Sequence, residues 1–239
     1  MSLDAFIATT RFGLGPRQGD VQKVQSDPRG WLVAQLDRPV MPPEIASIRQ
    51  QSAQVAGLFD EMRQQKKDKN AEEARKDIRK LFVSQTGQRF AAQVNSQQPF
   101  IERLVLFWSN HFTVSTQKPV VTPLINQYEA EAIRPYVCGR FADMVQAVEH
   151  HPAMLIYLDN VKSIGPNSRA GSKRSKGLNE NLAREILELH TLGVNGGYTQ
   201  SDVIALAKII TGWSLKRNGQ EIIPAFEFHA AQHEPGSKT

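Results

Sequence analysis

Apolar residues recur at three- and four-residue intervals along most of this chain, and that period predicts helices. Ser2 is placed to cap a short helix that ends at Gly13. Two more short helices follow over residues 20–25 and 28–36, the second with proline at its first position. From Glu44 onward Ile45, Ile48, Val55, Leu58, Phe59 and Met62 keep helical spacing, with the small Ser52 filling a gap. Residues 66–70 carry no apolar side chain and should break that helix. Asn70 with Glu73 resembles a capping box for the next one, whose stripe is Ala71, Ala74, Ile78, Leu81 and Phe82. The expectation is a long antiparallel helical hairpin over residues 44–95.

The second half continues the period. Pro99 opens a core helix rich in Phe100, Ile101, Leu104, Val105, Phe107 and Trp108. Thr122-Pro123 should start another, to be ended by Pro135. Phe141, Met144, Val145 and Val148 mark the next, interrupted by His151-Pro152. Residues 162–177 hold three glycines, five basic side chains and no acid, which reads as a loop. A helix then covers the polar-rich stretch beginning at Asn179, with Gly193 as its C-terminal cap. Thr199 or Ser201 opens a further helix with Val203, Ile204, Leu206, Ala207 and Ile210 inward. Only the tail changes character. Arg217-Asn218-Gly219-Gln220 is a hairpin-type turn between short β-prone runs. The fold class is therefore all-α: one irregular multi-helix domain over residues 1–239, with a long helical hairpin and a short β-prone C-terminal tail.

Composition narrows the function classes. A chain of 239 residues can bury a full core. No run of 18 apolar residues offers a membrane span. The first residues have an acid before a short apolar run and no basic region, so they do not read as a secretory signal. That absence points to the cytoplasm and leaves the periplasm open. One cysteine, Cys138, excludes an internal disulfide and a cysteine-based zinc site. The net charge of +5 permits an anionic partner and does not require nucleic acid.

Candidate chemistry concentrates in Asn179–Gly193, which packs two asparagines, three carboxylates, an arginine and a histidine into about four helical turns. On a regular wheel Leu182, Ala183, Ile186, Leu187 and Leu189 form one apolar arc. His190 falls inside that arc and Glu185 at its edge, where a titratable group is costly unless partnered. Glu180, Arg184 and Glu188 form an i, i+4 ladder of ordinary helix ion pairs. Asn181, Glu185 and Glu188 share a face. Glu185 and His190 would point about 140° apart on a regular helix, so they could not ligate one ion together. A Glu185–Glu188 pair could hold a hard divalent cation, but nothing in the sequence requires a metal. Asn110 and His111 end the apolar Pro99 helix, where they could face the Asn179–Gly193 helix. Asp159 and Asn160 lead into the basic loop of Lys162, Arg169, Lys173, Arg174 and Lys176. That loop is either a lid for an anionic substrate or a solvated linker. The terminal Gly236-Ser237-Lys238-Thr239 is not a phosphate loop, because Ser237 separates glycine from lysine.

Six blocks occur in a fixed order: Phe107–Phe112, Tyr157–Asn160, Asn179–Gly193, Tyr198–Val203, Leu206-Ala207 and Thr211–Ser214. Together with Arg11–Gly15 and His233–Thr239 they resemble the signature of the bacterial domain of unknown function 1800 family (DUF-1800), over essentially the whole chain. The resemblance implies a mainly helical bacterial protein of unestablished activity. Members are commonly longer, which would make this chain the N-terminal portion. Many carry export signals and are encoded beside an exported sulfatase-like family, a possible protein partner by resemblance only. The family brings no agreed catalytic residues.

Two functions from different classes therefore stand side by side. One is a helical scaffold or partner-binding domain with a buried polar Asn/Glu/His site. The other is a metal-assisted or acid/base hydrolase acting on an anionic substrate. In the second, Glu185, His111 and His190 are the candidate catalytic groups; Asn110, Asp159, Asn160, Asn179, Asn181, Arg184 and Glu188 are candidates for binding substrate or a partner. Convergence of these groups on one pocket would favour the enzyme, and separate internal partners would favour the scaffold.

Overall fold

A computed structural model describes residues 2–64, 71–173, 177–219 and 221–236. Helices dominate it, and its only sheet among the described residues is a two-stranded hairpin near the C-terminus. No described helix is long and apolar enough to cross a membrane.

The N-terminus folds as the apolar spacing predicts. The Ser2 hydroxyl accepts from the Ala5 N–H, opening the helix Leu3–Ile7, which runs on as a π-helix to Phe12 and stops at Gly13. Asp20–Val24 and Pro28–Asp37 complete a small cluster around Ala5, Ala8, Val21 and Val24. Arg103 ties this cluster to the Pro99–His111 helix by donating twice to the Gly13 carbonyl, at 2.6 and 2.9 Å.

The helical hairpin is present, with one change. Its first arm is two helices, Pro43–Gln50 and Ser52–Gln64, broken at Gln51. The second arm is the single helix Ala71–Asn95. Gln88 donates to Ser47 and Gln85 to Gln51, so residue numbers run in opposite directions on the two arms. The expected break over residues 66–70 and the Asn70 cap lie outside the described residues.

The segment after the Pro99–His111 helix is less regular than expected. It starts at Pro119 rather than Thr122, as a 3-10 stretch Pro119–Leu124 that contains Pro123. It then runs through Ile125–Tyr128, a π-helix Glu129–Ile133 and a 3-10 turn Arg134–Tyr136, which encloses Pro135 instead of ending before it. Two prolines without N–H groups cannot sustain one continuous α ladder, and the segment changes its hydrogen-bond period around them.

Phe141–His150 follows, and His151 caps Pro152–Tyr157 by accepting the Ala153 N–H on Nδ1 at 3.1 Å. Thr199 and Asp202 form a reciprocal capping box on Gln200–Ile209. Strands β1 (Trp213–Asn218) and β2 (Glu221–Phe228) pair antiparallel. Their register slips after Leu215, which pairs with Phe226, while Lys216 pairs with Ile223. The two residues passed over include Pro224, which cannot donate to a ladder. The main core gathers Phe59, Phe112, Ile133, Met144, Leu155, Leu182, Val203 and Ile210. The Asn179–Gly193 stretch lies against this core.

Candidate functional site

The motif helix is not a regular α-helix. Asn181–Glu185 is α-helical and Ile186–Thr191 is a π-helix, in which the Leu192 N–H reaches back five residues to the Leu187 carbonyl at 3.1 Å. Gly193 then takes a φ of +89°, as a helix-ending glycine does. A π turn holds more residues than an α turn, so residues five apart across it lie nearer one face than on a regular α-helix. Glu185 and His190 are five apart, so the 140° divergence of a regular wheel does not hold here. His190 meets, and the Glu185 charge reaches, one carboxylate that the apolar pattern did not single out, Glu149.

His190 is buried, and its Nδ1 lies 2.7 Å from Glu149 Oε1. Glu149 is buried as well, and its other oxygen, Oε2, is buried without a hydrogen-bond partner among the described residues. Burial pushes the Glu149 carboxyl above its ordinary 4.5; His190 pulls it back and the Glu185 charge pushes it further up. The same carboxylate adds to the burial that raises the Tyr128 hydroxyl. Tyr128 is itself fixed, donating to the Phe112 carbonyl at 2.8 Å. His111 joins from the end of Pro99–His111, with Nε2 at 3.1 Å from the His190 carbonyl oxygen. The Phe112 ring stands edge-on to His190 with centroids 5.2 Å apart. His111 and His190 thus meet, as the sequence suggests. Asn110 does not join them: it is exposed at the helix end.

The remaining motif residues form a second, outer set. Arg184 bridges Glu180 at 3.1 Å and Glu188 at 3.2 Å, and also donates to Gln200. This is the ion-pair ladder, extended to the neighbouring helix. The Asn179 side chain accepts the Asn181 N–H at 2.9 Å, just ahead of the first turn of the helix. The Asn181 residue is exposed.

Asp159 and Asn160 belong to a different place in the fold. Asp159 has a φ of +60°, the one positive value outside glycine among the described residues. Lys118 and Lys162 each lie 2.7 Å from its carboxylate. Burial would raise the Asp159 carboxyl, but those two ammonium groups outweigh it and hold it below 3.8. Asn160 is buried, donating to the Ile210 and Trp213 carbonyls, which locks the turn to the start of β1. Beyond it, the described part of the basic loop is not a free lid. Gly165 and Ala170 donate their N–H groups to the Gln232 and Ala231 carbonyls, and Asn167 donates twice to the buried Glu234. Arg174 and Lys176 lie outside the described residues.

Apart from the motif, a buried ion cluster joins three helical segments. Arg134 donates to both oxygens of Glu102, at 2.7 and 2.9 Å, and Glu129 receives Arg134 and Arg89. Sequence reasoning passed over Glu149 and this cluster. The signal for Glu149 was present, since it lies four residues after Val145 and directly after Val148 on the Phe141–His150 stripe. Among the described residues, no group of three or more histidine, cysteine, aspartate and glutamate side chains is placed to hold a metal ion.

A family model described as a protein of unknown function, DUF1800, matches residues 7–239. No curated protein and no solved structure matches the chain.

Proposed function

The chain belongs to the DUF1800 family, whose description names no activity, and on that premise we propose that it is a helical partner-binding scaffold. The observation that supports this reading is how the motif's polar groups are engaged. His190 is turned to Glu149, Glu188 to Arg184, and His111 to a backbone carbonyl. The motif helix lines none of three cavities that open among the described residues. Polar groups engaged with one another across helices in this way fix the packing of those helices. The hydrolase alternative needs the same groups turned toward a shared open space.

Around this locked centre the apolar groups face outward. Phe107, Phe141, Leu189, Leu192 and Val194 are all exposed, at 43–66%. Phe107 contacts Trp108, and Trp108 contacts Phe141, so three of the aromatics are continuous. Exposed apolar surface on this scale marks an interaction face. The first partner to test is a protein of the exported sulfatase-like family that the sequence resemblance points to. The two purified proteins should co-elute in size-exclusion chromatography, and Leu189→Asp should separate them without moving the melting midpoint. Chelator treatment should leave that midpoint in place. A stoichiometric bound metal, with a melt that collapses on chelation, would sink the scaffold reading in favour of metal-assisted hydrolysis.

A further inference from the structure

A cavity of about 620 Å³ opens between the β1–β2 hairpin, the helical hairpin and the turn after Pro152–Tyr157. Its volume is in the range of small-molecule sites. Arg75, Lys118, Lys162 and Arg217 line it, with Asp159 as the one carboxylate among the described lining residues. The rest of the wall is largely apolar, including Val120, Leu215 and Ile222.

The cations divide into two kinds. The Lys118 ammonium is committed within the fold: it donates to the Ile156 and Tyr157 carbonyls at 3.1 and 2.8 Å and meets Asp159 at 2.7 Å. Lys162 takes the other Asp159 oxygen. These contacts hold Asp159 in its left-handed conformation, a backbone state that persists only where the surroundings over-determine it and that clusters at ligand sites. Arg75 and Arg217 are the other kind. Both are exposed, and neither forms an ion pair among the described residues. Glu227, which accepts the Arg217 backbone N–H, is already paired with His229 at 2.8 Å. The cavity thus has an ion-paired rim, an apolar wall and two guanidinium groups that form no ion pair among the described residues. A guanidinium fork matches the oxygens of a carboxylate, sulfate or phosphate.

We propose that this cavity binds an organic anion with an apolar body and an oxyanion head, the head held by Arg75 and Arg217 and the body against Val120, Leu215 and Ile222. The site is lined by residues other than those of the motif helix, so it stands or falls independently of the scaffold reading.

Calorimetric titration of the full 239-residue chain tests it. The probes are naphthyl phosphate, the neutral naphthol, and inorganic phosphate. Naphthyl phosphate should bind at least about tenfold more tightly than either of the others, because only it uses both halves of the site. Arg75→Gln and Arg217→Gln should each weaken it by about tenfold, the usual scale for a lost charge-assisted hydrogen bond. Ile222→Trp, which fills the wall, should abolish binding. Both arginines face solvent, so their variants should melt with the parent protein. The proposal is overturned if naphthol binds as tightly as its phosphate, or if the Arg75→Gln/Arg217→Gln double variant binds naphthyl phosphate unchanged.

Discussion

His190 and Glu149 are the residues on which the motif helix turns. A carboxylate taken out of water loses several kcal/mol of solvation unless an ion or hydrogen-bond donor replaces it. Glu149 has His190 on one oxygen and, among the described residues, no partner on the other. Removing the histidine therefore strands the acid. His190→Leu should cost about 2–4 kcal/mol, and adding Glu149→Met should recover most of it, because two apolar groups of similar size need no partner. The cost should depend on pH in a definite sense. The folded Glu149 carboxyl lies above its ordinary 4.5, so the folded state holds this proton more tightly than the unfolded one. Its contribution is complete below 4.5 and is lost as pH rises through the folded value. Without His190 the carboxyl should rise further, so the deficit of His190→Leu should widen from acid toward neutral pH. Denaturant melts at several pH values measure this, and a deficit that narrows as pH rises would contradict it. Both groups were readable as buried positions in their own helical stripes. Their pairing was not, because it joins two helices distant in sequence.

The π turn is the element-scale counterpart. A wheel of 100° per residue places Leu182 and Leu189 on the same apolar arc. In the structure Leu182 is fully buried, whereas Leu189 is 56% exposed. Five-residue hydrogen bonding over Ile186–Thr191 rotates the second half of the helix, turning Leu189 out while His190 stays inward. Leu182→Ala should cost about 2–5 kcal/mol and Leu189→Ala under about 0.5 kcal/mol. Equal losses at the two sites would mean that the helix is regular in solution. Periodicity located this helix, its Gly193 stop and its neighbours. It could not reveal the change of period, since no residue type marks a π turn as a proline marks a break. The same limit explains the segment after Pro119, where two prolines were read as an entry and an exit and are instead accommodated in 3-10 turns.

At the scale of the molecule, the Arg134 cluster holds the helical layers in register. It joins Ala71–Asn95 through Arg89, Pro99–His111 through Glu102, and the π-helix Glu129–Ile133 through Glu129. Burial opposes the Arg134 charge, but Glu102 and Glu129 outweigh it and keep the guanidinium ionised. Arg134→Met would leave Glu102 buried and unpaired, and should destabilise the whole domain by about 3–5 kcal/mol in a single cooperative melt. A loss confined to local fraying would show that the layers are held elsewhere. Fold class, the helical hairpin and the β-prone tail were legible because they rest on local spacing. The cluster was not, because each of its charges falls on a helix that could equally have met water there. The tail has one more consequence, which concerns time. Gly165 and Ala170 are hydrogen-bonded to Gln232 and Ala231, and β1 and β2 supply one wall of the cationic cavity. None of these partners exists while the chain is being made past residue 170. At about 5–20 residues per second of synthesis, the turn around Asp159 waits several seconds for the strands that complete it. The motif helix can form on the growing chain; the cavity is finished only once β1 and β2 have emerged.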